Sequence, residues 1–267
     1  MPEGHTLHRL ALAHDALFAG EGVHVSSPQG RFAPEAARID GRVFERADSW
    51  GKHLWHRYAG GAIVHVHLGL YGSFTEFDLI DGAAPAPVGQ VRMRIVGPNG
   101  GTDLRGPTAC QLVSEEQVDD VLARLGPDPL RAESDPDDAW RPISRSRRPI
   151  GALLMDQKVL AGVGNVYRAE VLYRAGIDPH REGRSLTRDE FDGIWADLVA
   201  LMPIGVERGR MHVVRAEDDH GAPSYAPDRP RTYVYRRTGE PCRVCGTPVR
   251  TATMEARNLY WCPTCQS

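Results

Sequence analysis

Four cysteines near the C-terminal end place the tightest constraint on the fold of this chain. Cys242 pairs by spacing with Cys245, and Cys262 pairs with Cys265, with 16 residues between the two Cys-x2-Cys pairs. This spacing is typical of a site in which four thiolates surround one zinc ion. Two disulfides are the alternative, but they are rare in a chain without a secretion signal. Because four protein ligands leave no coordination position open, we expect one structural zinc at the base of a β-hairpin.

Overall composition narrows the class of protein. The chain has 267 residues, of which 41% are hydrophobic and 25% charged, a balance that excludes a coiled coil, a collagen-like chain and a fully disordered one. No apolar run approaches the roughly 18 residues that a membrane span needs. The opening residues, MPEGHTLHRL, contain no apolar core of a signal peptide. We therefore expect a soluble cytoplasmic protein with no membrane partner.

Charge is divided unequally along the chain. Residues 1–140 contain 12 basic and 20 acidic residues, a net charge of -8, whereas residues 141–267 contain 20 basic and 15 acidic residues, a net charge of +5. A basic C-terminal half on an acidic protein indicates an anionic partner such as nucleic acid. Among the 32 basic residues only Lys52 and Lys158 are lysines, which singles out both positions.

The N-terminal half is predicted to be rich in β-structure after one helix. Apolar side chains recur with helical spacing over residues 5–19. Two short β-like runs, at 53–58 and 62–68, are joined by Gly60 and Gly61, which is typical of a β-hairpin. Several short strands separated by Gly, Pro, Asn and Asp favour a sandwich or a barrel.

The C-terminal half is predicted to be helical. Its apolar side chains recur with helical spacing, and each run follows a residue type that caps or starts helices. The N-terminal half ends in one further predicted helix, over 115–125 with Ser114 as its cap. In the C-terminal half the runs, each with its starting signal, are 150–157 after Pro149, 166–175 after Asn165, and 188–202 after Thr187. The next stretch, 205–230, is rich in Gly, Pro, Asp and Arg and is predicted to be a loop.

These elements predict an α+β protein of three domains. They are an N-terminal β-sandwich with an N-terminal helix, a helical domain, and a β-hairpin zinc finger with four cysteines. We place the domains at 1–126, 127–230 and 231–267, because Gly126 and Pro127 begin a turn-forming and then acidic stretch.

The residues after the initiator methionine can supply a nucleophile. If Met1 is removed, Pro2 becomes a secondary α-amine, and α-amines have pKa values near ~7.7–8.0, far below the ~10.4 of a lysine. Attack of this amine on a sugar C1′ gives an iminium ion, which acts as an electron sink. Glu3 beside it is a candidate general acid/base. Taken alone, a Pro-Glu start is common and decides nothing.

Four separated segments carry a family resemblance. They are the start Met1-Pro2-Glu3-Gly4, residues 154–170 (LMDQKVLAGVGNVYRAE), residues 234–248 (VYRRTGEPCRVCGTP) and residues 256–266 (ARNLYWCPTCQ). Together they resemble the formamidopyrimidine-DNA glycosylase/endonuclease VIII family of base-excision repair enzymes. The resemblance identifies the second segment with the helix–two-turns–helix element of the family and the last two with its zinc finger. It implies a monomeric bacterial enzyme that binds damaged DNA, duplex or single-stranded, at the nucleoid.

The resemblance assigns the chemistry to three residues. Pro2 matches the nucleophile that displaces the damaged base at C1′, and Glu3 matches the carboxylate that assists sugar-ring opening and proton transfer. Lys52 matches a lysine that contacts DNA phosphate and assists catalysis. The implied activity is that of a glycosylase with AP lyase activity, in which elimination of the 3′ and then the 5′ phosphate leaves a one-nucleotide gap. No metal is required in the active site.

The resemblance also assigns DNA contacts. Asn165 and Arg257 match phosphate-binding residues of the family, and Lys158 matches a lysine near the DNA backbone. Leu70 and Tyr71 align with the wedge that fills the gap left by a flipped base. An ordinary position in a strand would also account for Leu70 and Tyr71.

Some positions depart from the family pattern or leave their role open. His5 and Thr6 stand where the family usually has Pro and Glu, and Ala256 stands where part of the family has Gly. Glu170 matches an acidic residue of the family. Its role in this chain is left open, and a structural role is one of the alternatives. The Leu70-Tyr71 pair and the opening residues resemble the endonuclease VIII branch, which implies oxidised pyrimidines as substrates.

Three other functions compete with this hypothesis. They are a glycosylase for oxidised purines, a non-catalytic protein that binds damaged DNA, and a metal-dependent nuclease. The nuclease would need a second metal, and the histidines available for it are His53, His56, His65 and His67. Alternating strand positions explain these histidines equally well, so we assign no second metal.

Overall fold

Residues 2–221 and 231–267 are described by a computed structural model, in which the chain divides into two units, Met1–Arg124 and Leu125–Ser267. Each unit contains its own core of buried apolar side chains. Within the described residues, no helix is both long enough and apolar enough to cross a membrane. The three-domain partition of the sequence stays a prediction.

From residue 2 onward, the described part of the first unit contains three helices and eight strands. Its elements in chain order are α1 Gly4–Phe18, β1 His24–Ser26, α2 Ala33–Ile39, β2 Phe44–Trp50, β3 His53–Tyr58, β4 Ala62–His67, β5 Ser73–Phe77, β6 Val91–Gly97, β7 Gly100–Arg105, β8 Ala109–Val113 and α3 Glu115–Leu122.

These strands form two antiparallel sheets of four strands each. Their strand orders are β1-β6-β7-β5 and β2-β3-β4-β8. One apolar cluster joins the two sheets to helix α1, with Leu7 on the helix, Val66 on one sheet and Ile95 on the other, all fully buried. The predicted sandwich with an N-terminal helix is therefore confirmed.

Local sequence signals account for much of this unit. The predicted hairpin is present, with Tyr58 paired to Ala62, and Gly60 and Gly61 take positive φ values of 81° and 75° between the strands. Helix α3 begins where expected, because Ser114 Oγ accepts from the backbone N–H of Gln117 at 3.2 Å. The helix ends at residue 122, three residues earlier than predicted.

The second unit is helical up to the zinc finger. Its elements are α4 Pro136–Ile143, α5 Ile150–Leu153, α6 Asn165–Arg174, α7 Arg188–Arg208, β9 Arg250–Met254 and β10 Arg257–Trp261, with short 3-10 turns at Gly183–Ser185 and Ala216–Asp218. The last two strands form the predicted antiparallel hairpin. The predicted fold class is thus confirmed.

Helix α5 ends at residue 153, well before the predicted end at 157. The side chains that follow bind the backbone of the next loop instead of continuing the helix. Asp156 Oδ1 accepts from the N–H of Lys158 at 3.1 Å, and Gln157 Oε1 accepts from the N–H of Gly162 at 3.0 Å. Such local hydrogen bonds compete with helix formation.

Two other helix boundaries differ from the prediction. Asn165 is the first residue of α6 and not its cap, because Gly164 is the N-cap. Helix α7 passes through Pro203 to Arg208 and ends at Gly209, whose φ of 67° terminates it in a left-handed conformation. Burial of one face of the last turns outweighs the hydrogen bond that a proline removes. The predicted loop at 205–230 is therefore helical at its start, and its residues 222–230 lie outside the described residues.

Candidate active site and nucleic-acid interface

The first residues are held at the start of helix α1. Glu3 is the N-cap of the helix and is fully buried, and Pro2 before it is half-buried. Glu3 and Thr6 form a reciprocal capping box, in which the backbone N–H of Glu3 donates to Thr6 Oγ1 at 3.4 Å. The helix dipole favours a carboxylate at this end. The fold therefore fixes Glu3 directly beside the residue that would carry the nucleophilic amine.

The two departures next to Glu3 have a local explanation. Thr6 occupies the third helical position, where its hydroxyl completes the capping box that an acid could also complete. His5 is 5% exposed, and burial lowers the pKa of its imidazole to about 4. At neutral pH this histidine is therefore uncharged, and its Nε2 lies 3.4 Å from Thr6 Oγ1.

Lys52 lies in a two-residue turn between strands β2 and β3. Trp50 pairs with His53 across the turn, so Gly51 and Lys52 are its central residues, and Gly51 has a φ of 58°. A glycine with positive φ at the first central position is characteristic of a type II′ hairpin turn. Gly51 therefore allows the tight reversal that presents the partly buried Lys52 at the end of the two strands.

Three histidine side chains lie near Lys52, on the face of the sheet opposite the sandwich core. His53 Nδ1 and His65 Nε2 are 2.9 Å apart, and the rings of His53 and His67 are 5.0 Å apart between centroids. Burial lowers the pKa of His53 to about 3, and burial together with the charge of Lys52 lowers the pKa of His67. All three imidazoles are neutral at pH 7, and the positive charge of Lys52 acts on both His53 and His67.

Leu70 and Tyr71 lie in a turn between β4 and β5. Tyr71 is 87% exposed and Leu70 is 41% exposed, which contradicts the alternative that they are ordinary strand residues. Gly69 has a φ of 66°, and a Cβ on Gly72 would lie 2.3 Å from the carbonyl oxygen of Leu68, so both positions require glycine. An exposed aromatic side chain on a short, tight turn has the form of a residue that can stack into a base-pair gap.

In the second unit, Asn165 lies at the N-terminus of helix α6, after the glycine-rich turn. Its side chain is engaged within the protein: Nδ2 donates to the carbonyl oxygen of Asn258 on β10 at 2.9 Å, and Oδ1 accepts from Arg168. Gly162 in the preceding turn has a φ of 85°. The turn therefore offers a helix N-terminus and backbone N–H groups to an anion, while the amide of Asn165 joins α6 to the hairpin.

Arg168 is a supporting residue that the sequence analysis missed. It is fully buried, and besides Asn165 its guanidinium donates to the carbonyl oxygen of Gly151 at 3.4 Å. Arg168 follows Asn165 by three residues, a spacing that places both side chains on one face of the helix. That spacing is the signal from which the contact could have been inferred.

Arg257 is the first residue of strand β10, directly after the hairpin turn formed by Glu255 and Ala256. Arg257 Nη1 donates to the carbonyl oxygen of Ala256 at 3.2 Å. A cleft beside the turn is lined by Arg148, Ala152, Met155, Asp156, Gln157, Glu255 and Arg257. Because Asn258 follows Arg257 and accepts from Asn165, the structure brings the predicted phosphate ligands Asn165 and Arg257 close together.

Lys158 lies in the turn after helix α5, and its side chain is exposed. Its backbone N–H donates to Asp156 Oδ1 at 3.1 Å, which orders the turn. The residues that line the cleft do not include Lys158. Its assignment as a DNA-backbone contact stays a prediction, as do the other residue roles taken from the resemblance.

The four C-terminal cysteines form a metal site. Their Sγ atoms all lie within 4.8 Å of one another, with 3.8 Å between Cys242 and Cys265 and 3.4 Å between Cys245 and Cys262. Four thiolates about 2.3 Å from one zinc ion would be roughly 3.8 Å apart, so the set fits zinc. All four thiols are free, and a disulfide needs a sulfur separation near ~2.05 Å, so the disulfide alternative is wrong.

Helix α6 supports the zinc finger through two side chains. The hydroxyl of Tyr173 lies 3.0 Å from the Sγ of Cys242. Glu170 is fully buried and accepts hydrogen bonds from three successive backbone N–H groups, those of Tyr233, Val234 and Tyr235, at 2.7 to 3.0 Å. Burial raises the pKa of Glu170, and these three hydrogen bonds oppose that shift. The structure therefore gives Glu170 a structural role.

Comparison with known proteins places the chain in a family. Residues 1–105 match the formamidopyrimidine-DNA glycosylase N-terminal domain, residues 125–216 match the formamidopyrimidine-DNA glycosylase H2TH domain, and residues 239–267 match the zinc finger found in FPG and IleRS. Endonuclease 8 1 of Mycobacterium tuberculosis is 64% identical over 268 residues, which cover 100% of both chains. The chain belongs to the formamidopyrimidine-DNA glycosylase/endonuclease VIII family.

Other members of the formamidopyrimidine-DNA glycosylase/endonuclease VIII family are similar over most of their length. Formamidopyrimidine-DNA glycosylase of Thermus thermophilus is 32% identical over 237 residues, which cover 86% of this chain and 85% of the other. The crystal structure of MutM (Fpg) from Thermus thermophilus has a TM-score of 0.78 at 28% identity, covering 99% of this chain and 98% of that one. Fpg of Lactococcus lactis, in complex with abasic-site DNA, shares the fold with a TM-score of 0.80 at 18% identity.

Family membership defines the general activity. Members of the formamidopyrimidine-DNA glycosylase/endonuclease VIII family are DNA glycosylases with AP lyase activity, so this chain is an enzyme of base-excision repair. Its zinc is structural, since the four cysteines of the finger occupy every position of a tetrahedral site.

Proposed function

We propose that this enzyme removes oxidised pyrimidine bases from DNA and then cleaves the strand by β,δ-elimination, with Pro2 as the nucleophile. The observation that carries the proposal is the fully buried carboxylate of Glu3, held as the N-cap of helix α1 directly after Pro2. A secondary α-amine beside a fixed carboxylate can combine nucleophilic attack with proton transfer. Once Met1 is removed, both groups belong to one short segment and need no metal.

In the first step Pro2 displaces the base. The lone pair of the Pro2 nitrogen forms a bond to C1′ while the glycosidic bond breaks, and its electron pair leaves with the base, which takes up a proton. The Pro2 nitrogen then loses its own proton, and opening of the sugar ring breaks the C1′–O4′ bond. Glu3 supplies the proton that O4′ acquires, and the nitrogen lone pair completes the iminium at C1′.

In the second step the iminium withdraws electrons from the sugar. Loss of a proton from C2′ breaks the C3′–O bond and releases the 3′ phosphate. Loss of a second proton, from C4′, then breaks the C5′–O bond and releases the 5′ phosphate. Water then hydrolyses the iminium and returns the free amine of Pro2. Lys52, a cation among neutral histidines, is suited to hold a phosphate of the strand during these steps.

Damaged DNA is the proposed partner. The basic C-terminal half, the helix N-terminus at Asn165 and the arginine on the zinc-finger hairpin support contacts with the DNA backbone. The exposed Tyr71 and Leu70 support insertion into the gap that a flipped base leaves. We propose that the enzyme acts as a monomer in the cytoplasm, on the DNA of the nucleoid.

Borohydride trapping on an abasic-site duplex tests the nucleophile. Reduction converts the iminium into a stable amine, so we expect a covalent enzyme–DNA adduct that peptide mapping places on Pro2. Intact mass establishes beforehand that Met1 has been removed. The matched control is the same chain with a Gly-Ser extension before Pro2, because an amide nitrogen cannot form the iminium. An adduct that persists with the extension, or that maps to Lys52, would overturn the assignment of Pro2.

A pair of duplexes tests the substrate class. One carries thymine glycol and the other carries an oxidised guanine opposite cytosine. We expect faster excision of thymine glycol, a preference supported by the 64% identity to a protein named Endonuclease 8 1. Faster excision of the guanine lesion would assign oxidised purines instead, and binding of both duplexes without adduct or cleavage would indicate a non-catalytic damage-binding protein.

A further inference from the structure

Arg148 makes a forked ion pair across the cleft that contains Arg257. Its Nη1 donates to Asp156 Oδ2 at 2.8 Å and its Nη2 donates to Glu255 Oε1 at 3.1 Å. Asp156 lies in the turn after helix α5, and Glu255 lies in the turn of the zinc-finger hairpin. One guanidinium therefore connects two segments that are 99 residues apart, from Asp156 to Glu255, in the sequence.

The hairpin turn held by Arg148 has an unfavourable backbone conformation. Glu255 and Ala256 both have positive φ values, 52° and 54°, although neither is a glycine. Residues with a Cβ adopt this conformation at a cost, and they keep it where surrounding contacts over-determine it. The Arg148–Glu255 ion pair is one such contact. Met254 makes a second contact, since its Sδ packs against Gly151 of helix α5. The two are so close that a Cβ placed on Gly151 would lie 3.0 Å from the sulfur.

The carboxylates in this cleft would repel the DNA phosphate that Arg257 is proposed to bind. Arg257 is assigned to DNA phosphate, yet the carboxylates of Asp156 and Glu255 line the same cleft. Burial raises the pKa of Asp156, but the hydrogen bonds from Arg148 and from the backbone N–H of Lys158, together with the charges of both residues, lower it below its usual value, so this carboxylate is ionised at pH 7. Without Arg148, two negative charges would face the incoming phosphate beside one arginine. With Arg148 present, the two arginines and the two carboxylates of the cleft have no net charge.

We propose that Arg148 is a positioning residue for DNA binding: it holds the hairpin turn that presents Arg257 and neutralises the two carboxylates beside it. The inference rests on the proposed function for the nature of the ligand, a DNA phosphate. It gives Arg148 an effect on the affinity for DNA and none on the bond-breaking steps, which belong to the first unit. It also implies that the Glu255 carboxylate weakens DNA binding when Arg148 is removed.

Three variants test this role. Arg148→Ala removes the ion pair, and Arg147→Ala is the matched control, since it removes the same charge from an exposed neighbour that forms no ion pair within the described residues. Arg148→Ala/Glu255→Gln removes one opposing carboxylate as well. The readouts are the Kd for a duplex with a tetrahydrofuran abasic analogue, by fluorescence anisotropy at several salt concentrations, and KM and kcat on an abasic-site duplex. Zinc content confirms that the finger remains folded.

We expect Arg148→Ala to raise Kd and KM about three- to tenfold beyond the control, in keeping with the loss of one net positive charge near a phosphate. The kcat at saturating DNA should stay within about twofold of the wild-type value, because binding and not bond breaking is affected. The added Glu255→Gln change should recover at least half of the loss on a logarithmic scale. Such a rescue would not follow from a general loss of structure.

Two results would overturn the role of Arg148. One is a Kd for Arg148→Ala equal to that of Arg147→Ala, and the other is the absence of any recovery on adding Glu255→Gln. The binding measurement requires no bond breaking, so its result does not depend on the proposed role of Pro2. An Arg148-dependent Kd without a borohydride adduct would refute the role of Pro2 alone, and an adduct with an Arg148-independent Kd would refute this inference alone.

Discussion

A buried pair of histidines in the first unit makes its stability depend on pH. His14 on helix α1 and His56 on strand β3 are both fully buried, and His14 Nδ1 lies 2.9 Å from His56 Nε2. Phenylalanine rings surround the pair, with the centroid of Phe74 4.6 Å from that of His14. The remaining nitrogens, His14 Nε2 and His56 Nδ1, are buried without a hydrogen-bond partner among the described residues. The site therefore accommodates two neutral imidazoles and disfavours a proton.

The direction of the pH effect follows from these pKa values. Burial lowers the pKa of His14 from 6.5 to about 3 and lowers that of His56 well below 6.5. Below pH 6.5 the unfolded chain binds protons that the folded chain does not, so stability is present above that pH and is lost as the pH falls. Between about pH 7.5 and pH 5.5 each histidine contributes a loss of about 1.4 kcal/mol, and the pair about 3 kcal/mol. This is a large part of the ~5–15 kcal/mol that stabilises a typical domain.

The variant His14→Leu/His56→Leu tests this magnitude. It should reduce the loss of unfolding free energy between the two pH values by about 3 kcal/mol, whatever its stability at neutral pH. The measurement is urea unfolding at each pH, followed by a hydrogen-exchange pulse at a common pH and mass spectrometry of peptides covering β3 and β4. His24→Gln is the control, because the His24 side chain is 84% exposed, and it should change the pH dependence by less than about 0.5 kcal/mol. A double variant with the pH dependence of the wild type would show that the buried histidine pair is not the cause of the acid destabilisation.

Three further changes have definite expected outcomes. Ala256→Gly should remove the cost of a positive φ at a residue with a Cβ and stabilise the second unit by about 1 kcal/mol, which would raise the thermal midpoint by a few degrees. A lower midpoint would show that the turn is not strained. Tyr71→Ala should leave the urea midpoint unchanged, since the side chain is 87% exposed, yet slow excision from duplex DNA about tenfold or more, and an unchanged rate would exclude the wedge role. Glu170→Gln should lower the unfolding free energy of the second unit by about 2 kcal/mol in urea titrations, because an amide presents one acceptor oxygen where the carboxylate accepts from three N–H groups. A variant as stable as the wild type would show that Glu170 has no structural role.

Local sequence signals predicted the parts of this protein that depend on neighbouring residues. The spacing of Cys242, Cys245, Cys262 and Cys265 was sufficient for the zinc site, because each Cys-x2-Cys pair needs only a tight turn to present two thiolates. The capping residues Ser114 and Thr187 marked the correct helix starts, since a cap satisfies N–H groups only two or three residues away. Family motifs in four segments were sufficient for the fold class and the general activity.

The end of a helix proved harder to predict than its start. Helix α5 ends early because Gln157 bonds a loop that lies beyond it, and helix α7 continues past Pro203 because its last turns are buried. Each outcome depends on a competition between local propensity and contacts with the rest of the unit. The pattern of apolar residues reflects helix propensity, but it does not show the tertiary contacts that decide where a helix ends.

Local sequence patterns were enough to predict the zinc site, the starts of helices α3 and α7, the hairpin of strands β3 and β4, and the family. Those patterns did not reveal four features that depend on folding: His14 meets His56, Arg148 joins Asp156 to Glu255, the Asn165 amide binds strand β10, and Tyr71 is exposed. The two groups of features differ in the distance along the chain between the residues that interact. Turns, caps and metal knuckles are satisfied within a few residues, whereas the His14–His56, Arg148–Glu255 and Asn165–Asn258 contacts join residues that are 40 or more positions apart and meet only on folding.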